Sequence, residues 1–509
     1  VSDPDRRCGV LLHPTSLPGP AACGSFGAAA RDWIDLLVRQ GVGVWQLLPL
    51  APTDGTGSPY SSPSGSALNP WLIDADDLLT AGLISDSDHA GLPGGGHDRL
   101  EPAIASARAA AVAVALGRHW PAQSMARHGA FEAWRQSQAF WLDDHCRFMV
   151  LRRLNQGRPW WEWPGPLSQR QSRALRQLAA EHGPELLAEA LLQWQLRQQW
   201  ALLQQRARAG GLRLLGDLPF YVAHDSVDVW CRRHLFSLGL DGQLQQQSGV
   251  PPDYFAATGQ LWGTPVYRWW RHRLTGFRWW LNRLEVQLQL FDLLRLDHFR
   301  ALESYWSVPG GDATAEHGTW CPSPGNALLG KLLRRCRRRG LLLPDGRLPL
   351  IAEDLGVITP EVEALRDRYL LPGMKILQFA FDGNDDNAYL PANYEGERWV
   401  VYTGTHDNAT TEGWWQSLDG DSRERIARLV GQAVTSPSWQ VLELALASRA
   451  ELAVVPLQDL LHLDDRARFN TPGTVEGNWS WRLREPIDGL EGALQGYGAM
   501  AARYQRGDG

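Results

Sequence analysis

Short apolar runs, most of them closing on polar residues, recur along the chain. They are CGVLLHPTS from Cys8, VGVWQLLPL from Val42, LRLLGDLPF from Leu212, FDLLRLDHF from Phe291, LPLIAEDLG from Leu348, MKILQFAFD from Met374, WVVYTGTHDN from Trp399 and ELAVVPLQD from Glu451. Continuous hydrophobicity marks strands buried on both faces, as in a parallel sheet. Between the runs lie helical patterns. RDWIDLLVRQ separates the first two, and PELLAEALLQWQLRQQWALLQQRARAGG, with a Gly-Gly stop, leads into the third. TPEVEALRDRY follows the fifth, with Thr359 at the N-cap position and Pro360 in the first turn. Eight strands alternating with helices predict an α/β fold, a (β/α)8 TIM barrel whose active face lies at the C-terminal strand ends.

Those ends carry Asp217, Asp297, Glu353, Asp407 and Asp459. The connections are uneven, so residues 1–509 are expected to form a single catalytic barrel with large insertions after strands 2 and 3, at about 52–211 and 225–290. Long loops on the active face shape substrate clefts. About fifty residues follow Asp459, which leaves no room for a C-terminal β-sandwich.

Bulk properties narrow the function. A length of 509 residues, 44% hydrophobic and 21% charged, is that of a globular chain with a large core. A net charge of −6 gives no general attraction to nucleic acid or to anionic membranes, and no apolar run spans a bilayer. Six cysteines without a CxxC pair read as reduced thiols, which suggests the cytoplasm, and no targeting segment is read at the N-terminus. The 25 tryptophans either fill the core or offer flat faces to sugar rings.

The strand-end residues suggest chemistry. Arg295 and Asp297 share one face of a strand, and a guanidinium beside a carboxylate favours the anion. Glu353 and Asp354 are neighbours and point to opposite sides, so one of them enters the barrel mouth; spacing does not say which. His406, Asp407 and Asn408 close another strand. Taken singly, His13, His224 and His298 read as hydrogen-bonded core residues. Several acids on one rim among aromatic loops suit glycosidic-bond chemistry. One carboxylate attacks or stabilises the sugar cation, a second feeds a proton to the leaving oxygen, and a third keeps that acid protonated.

Ten segments then carry a resemblance across nearly the whole chain. They are GVLLHPTSLPGP, WQLLPLAPT, SPYSSPSGSALNPWLID, GDLPFYVAHDSVDVW, GVPPDYFAATGQLWG, RLDHFR, IAEDLGVITPEV, MKILQFAF, YTGTHDN and NTPGTVEGNW, in order from Gly9 to Trp479. The sequence resembles the 4-α-glucanotransferases (amylomaltases, or disproportionating enzymes) of glycoside hydrolase family 77, relatives of the α-amylases. The resemblance implies that Asp297 is the nucleophile, Glu353 the acid/base and Asp407 the third acid. It implies substrate-binding roles for Tyr60, Asp217, Arg295, His298 and His406, with Asp253, Tyr254, Phe255 and Trp262 in a mobile loop over the glucan. The implied activity is retaining transfer of α-1,4-glucan segments among maltooligosaccharides, amylose or glycogen-type chains, with no cofactor and no metal. The alternative is an α-amylase-type hydrolase using the same acids with water.

The chain departs from the family pattern at Ala301 in DHFRAL, Ala409 in GTHDNATT, Thr264 in the GTP after Trp262, and the ACGSFG turn. Three further features take structural readings. KLLRRCRRRG, from Lys331, reads as the wet face of a barrel helix rather than a nucleic-acid patch. PWWEWP reads as packing before an outer glucan site, and Lys375 as a packing or loop contact rather than a Schiff-base lysine.

Overall fold

The computed structural model describes residues 6–19, 22–96, 98–252, 257–474 and 476–507. Eight parallel strands form the central barrel: β1 (Arg7–Leu11), β2 (Val44–Gln46), β3 (Arg213–Leu218), β4 (Leu293–Leu296), β5 (Leu350–Ala352), β6 (Gly373–Ile376), β7 (Trp399–Tyr402) and β8 (Leu452–Pro456). Each coincides with one of the eight apolar runs, β1 and β6 beginning one residue before theirs. Ladders join β6 to β7, β8, β1, β2, β3, β4 and β5 in that order, all parallel. The seam between β5 and β6 closes without a ladder. There Ala352 N donates to Pro372 O at 2.8 Å, and the Asp354 carboxylate accepts Met374 N at 2.7 Å.

Two-residue alternation sorts the side chains. Leu11, Val44, Leu215, Ile351, Met374, Val400, Tyr402 and Val454 fill the barrel. Val10, Trp45, Leu214, Leu294, Ala352, Val401 and Ala453 pack outward into the layer of helices. The interior is therefore apolar below and becomes polar toward the C-terminal ends, where Gln46, Asp217, Arg295 and Glu353 continue the inward parity. Gly216 is required where it stands: a Cβ there would lie 2.2 Å from the Phe291 ring.

Helix α1 (Ala28–Arg39) buries Trp33, Ile34, Leu36 and Leu37. The connection from β2 to β3 is mostly helical and ends in α2 (Gly183–Ala209), stopped by Gly210 and Gly211. Two glutamines of α2 act as backbone mimics. Gln193 pairs with both N–H and C=O of Leu68 at 2.9 and 2.8 Å, and Gln199 does the same for Asp74 at 2.9 and 2.8 Å. They hold the segment that brings Tyr60 over the barrel mouth.

A second sheet, antiparallel, has four strands. Gln246–Val250 and Gln260–Pro265 come from the β3–β4 connection, Ser304–Pro309 and Thr319–Pro322 from the β4–β5 connection. The sequence pattern did not announce this pairing, because the strand of Ser304–Pro309 is fused to the RLDHFRAL turn. Helices α3 (Gly325–Arg339) and α4 (Pro360–Arg368) flank β5 along the chain.

The structural readings hold. Leu328, Leu329, Leu332 and Cys336 of α3 are buried, while Arg337, Arg338 and Arg339 face outward. Trp160 and Trp163 are buried, their indole N–H groups donating to His224 O and Arg158 O at 2.8 Å each. Lys375 lies between two residues that face the barrel core and points outward, its ammonium 4.1 Å from the Trp399 ring centre. Trp33, Trp45, Trp200, Trp230 and Trp280 are also fully buried, so much of the tryptophan content is core.

Candidate active site

Register sets the site. In the β3–β4 ladder Asp217 faces Arg295, and in the β4–β5 ladder Leu296 faces Ala352, which puts Asp297 beside Glu353 one step further. The ladder continues past the strand ends, with Asp297 N donating to Leu218 O at 3.0 Å and Glu353 N to Leu296 O at 3.2 Å. Arg295 Nη1 donates to Asp217 Oδ1 and Oδ2 at 2.9 and 2.7 Å and reaches Asp297 Oδ1 at 2.9 Å. Burial alone would lower the Arg295 pKa, but Asp217 and Asp297 hold it well above its ordinary value.

The acids differ in exposure, which decides what each can touch. The Asp217 side chain has 0% of its surface exposed, Asp297 30% and Asp407 45%. Both Asp217 oxygens are occupied: Arg295 reaches both, and Tyr60 donates its hydroxyl to Oδ2 at 2.7 Å. Burial pushes Asp217 up against the pull of Arg295. Asp217 thus holds Arg295 and Tyr60 rather than facing the cleft.

The Glu353 carboxyl is held by two backbone amides. Its Oε2 accepts His298 N at 2.7 Å, and Oε1 accepts Leu355 N at 3.0 Å. The first bond depends on His298 adopting a left-handed backbone, φ 52°, which is strained for a residue other than glycine. Burial pushes the Glu353 pKa up to about 7; Arg295 works against the rise and Asp297 adds to it. Burial also lowers His298 to about 4, leaving a neutral imidazole whose Nε2 has no partner among the described residues. Asp354 takes the other side of the strand, where its Oδ2 meets Arg366 Nη1 at 2.6 Å.

The opposite rim is aromatic. Tyr60 stacks on His406 with ring centres 5.2 Å apart and an 11° interplanar angle, and Trp479 lies against both at 5.8 and 6.0 Å. His406 Nε2 is 3.4 Å from Asp407 Oδ1, which also accepts Asn470 Nδ2 at 2.6 Å. Arg468 Nη2 donates to Asp407 O at 2.6 Å. Trp262, on the antiparallel sheet, meets His298 edge-on at 4.9 Å, with Tyr221 behind them. Asp253, Tyr254 and Phe255 lie outside the described residues.

Asp459 is not part of this cluster. It occupies the short helix Leu457–Leu460 beyond β8, where it accepts Thr403 Oγ1 at 2.6 Å, Thr411 N at 2.8 Å and Thr411 Oγ1 at 2.6 Å. An acid just past a strand reads the same in sequence whether it lines a mouth or ties two loops. Asn470 and Trp479 were marked only by the NTPGTVEGNW segment, and Arg468, two residues before it, had no mark, because nothing local to that loop shows which acid it reaches. Gln46, which accepts Tyr402 Oη at 2.9 Å inside the barrel, had no local signal.

The departures leave the cluster intact. Ala301 is buried with a backbone outside the left-handed region. The Thr264 hydroxyl bonds that of Ser248. Ala409 contributes its carbonyl to Gln378 Nε2 at 3.0 Å. Among the described residues, no group of three or more His, Cys, Asp or Glu could hold a metal ion.

This architecture is shared. The chain matches the family described as 4-alpha-glucanotransferase over residues 12–488. It is 43% identical to the 4-alpha-glucanotransferase of Thermus thermophilus, covering 94% of this chain and 95% of that one. It is 42% identical to that of Synechocystis, covering 97% and 96%. The amylomaltase of Streptococcus agalactiae, solved in complex with acarbose, superposes with a TM-score of 0.92 at 32% identity, over 99% of this chain and 100% of that one. Identity of this extent across barrel, sheet and mouth leaves one conclusion: the chain belongs to the 4-alpha-glucanotransferases, glycoside hydrolase family 77.

Proposed function

We propose that the protein transfers α-1,4-glucan segments from a donor chain to the 4-hydroxyl of an acceptor glucan or glucose by retaining double displacement. Its substrates in this reading are maltooligosaccharides and amylose or glycogen-type chains. The reading rests on one observation: Asp297 and Glu353 occupy adjacent strand ends, and the Glu353 carboxyl is bonded to the amide that follows Asp297. Asp297 attacks the anomeric carbon, and Glu353 gives its proton to the departing oxygen.

The electrostatics drive the second half. In the resting site the Asp297 anion adds to the rise of the Glu353 pKa. Once Asp297 is esterified by the sugar that charge is gone, so Glu353 becomes more acidic after giving up its proton. It then serves as the base that deprotonates the acceptor's 4-hydroxyl. Arg295, itself held by Asp217, keeps the Asp297 carboxylate oriented. Asp407, gripped by Asn470, is placed to take hydroxyls of the distorted ring. Tyr60, His406 and Trp479 form the apolar wall for a sugar face, and Trp262, edge-on to His298, excludes water so that transfer prevails over hydrolysis.

The six thiols are free, which supports a reducing compartment, the cytoplasm. No helix of the described residues is long and apolar enough to cross a membrane. Incubation with maltotriose tests the activity. Glucose plus longer maltooligosaccharides at constant total reducing ends supports transfer; rising reducing ends make the protein a hydrolase.

A further inference from the structure

On the barrel flank, the chain on either side of β5 builds a basic groove of about 570 Å³ that the glucan chemistry does not use. Four arginines line it, Arg334 and Arg337 from α3, Arg347 just before β5, and Arg368 at the end of α4; Asp345 is the one carboxylate in its lining. Arg347 is already neutralised, by Asp345 and by Glu451 at 3.2 Å. Helix α3 divides its charges. Arg335 and Arg339 turn to Glu285, while Arg334 and Arg337 turn to the groove. Among the described residues, Arg334, Arg337 and Arg368 have no carboxylate within ion-pair distance.

The floor is shaped to leave room. Gly330 lines the groove in mid-helix, where a Cβ would lie 3.2 Å from the Tyr369 hydroxyl and 3.9 Å from Arg334 Nη1. Tyr369 itself is fixed by donating to Asn326. Three uncompensated guanidinium groups on a concave wall repel one another, in a chain whose net charge is −6. Low-dielectric walls focus such a field, and guanidinium forks match phosphate oxygens. The volume falls within the range of small-ligand pockets. The uncompensated charge lining the concavity is that of these three guanidinium groups, a number suited to one small anion.

We propose that this groove is a binding site for a small phosphorylated ligand, held by Arg334, Arg337 and Arg368. The site lies apart from the mouth and does not depend on the glucan reading. Calorimetric titration of the intact protein with pyrophosphate, and separately with a hexose phosphate, at constant ionic strength set with sodium chloride, tests it. Saturable binding by the wild type, weakened at least tenfold in Arg334→Gln/Arg337→Gln and again in Arg368→Gln, is expected. Both variants should keep wild-type melting and maltotriose turnover, since none of these side chains reaches the barrel mouth. Absence of saturable binding, or equal binding by the variants, would overturn the site. Binding of a single-stranded oligonucleotide that pyrophosphate fails to displace would assign the patch to nucleic acid instead, and would also overturn it.

Discussion

Glu353 accepts the backbone N–H of His298 at 2.7 Å, and that amide directly follows Asp297. The two acids at the barrel mouth are therefore linked by one peptide, and the strained φ of 52° at His298 is what aims the donor. A rigid tie of this kind sets the separation of the carboxyl groups from backbone geometry, with little freedom left to either side chain.

Replacing either acid tests the proposed roles. Asp297→Asn and Glu353→Gln should each lower kcat with maltotriose by roughly 10²–10⁴-fold. Asp297→Asn should melt close to wild type, because it keeps the side chain's shape and the oxygen that Arg295 reaches. A folded Asp297→Asn variant with full transfer activity would remove the nucleophile assigned here.

The pH profile follows from the same pair. With Glu353 pushed up to about 7, kcat/KM should fall on the alkaline side with a midpoint near that value. Stability carries the matching sign. A carboxyl whose folded pKa is raised from 4.5 to about 7 contributes stability that is present below about pH 4.5 and is lost as pH rises through 7. Glu353→Gln should therefore gain melting temperature relative to wild type as pH is raised across that window, measured by calorimetry at matched ionic strength.

Asp354 should matter for the barrel rather than for the sugar. It bridges the unladdered β5–β6 seam through Met374 N and pairs with buried Arg366. Asp354→Ala removes the buried partner of that guanidinium and leaves it only the exposed Asp367, 2.9 Å from its Nε, and should destabilise the fold by about 3 kcal/mol. Denaturant unfolding measures this; an unchanged midpoint would show that the seam needs no such staple.

Asn470 donates to the Asp407 carboxylate at 2.6 Å. Asn470→Ala frees that side chain, and a lost hydrogen bond to a charged group corresponds to roughly tenfold to a hundredfold in kcat/KM. Asp407→Asn combined with Asn470→Ala should then cost little more than Asp407→Asn alone, since both act through one group.

Arg506, near the chain end, is fully buried and donates to Leu446 O, Ser448 O and Arg7 O at 2.7, 2.8 and 3.1 Å. Arg506→Ala removes the buried guanidinium that ties these three carbonyls together and leaves Leu446 O and Ser448 O only the Arg6 donor. A loss of roughly 3 kcal/mol in unfolding free energy is expected, with specific activity of the folded fraction unchanged.

The eight strands were readable from their apolar runs, because a strand buried on both faces leaves no choice of residue type. Alternation then required that Arg295 and Asp297 share the inner face, and that Glu353 and Asp354 part. Local pattern could go no further than that. Which of Glu353 and Asp354 entered the mouth depended on the β4–β5 register. That Asp217 is consumed in holding Arg295, that Asp459 ties Thr403 to Thr411 away from the cleft, and that Asn470 reaches back to Asp407 depended on contacts between residues 48 to 78 positions apart. Side-chain chemistry is carried by each residue alone. Exposure, partner and pKa come from the neighbours that folding supplies, so only the assembled barrel distinguishes an acid that works from an acid that holds.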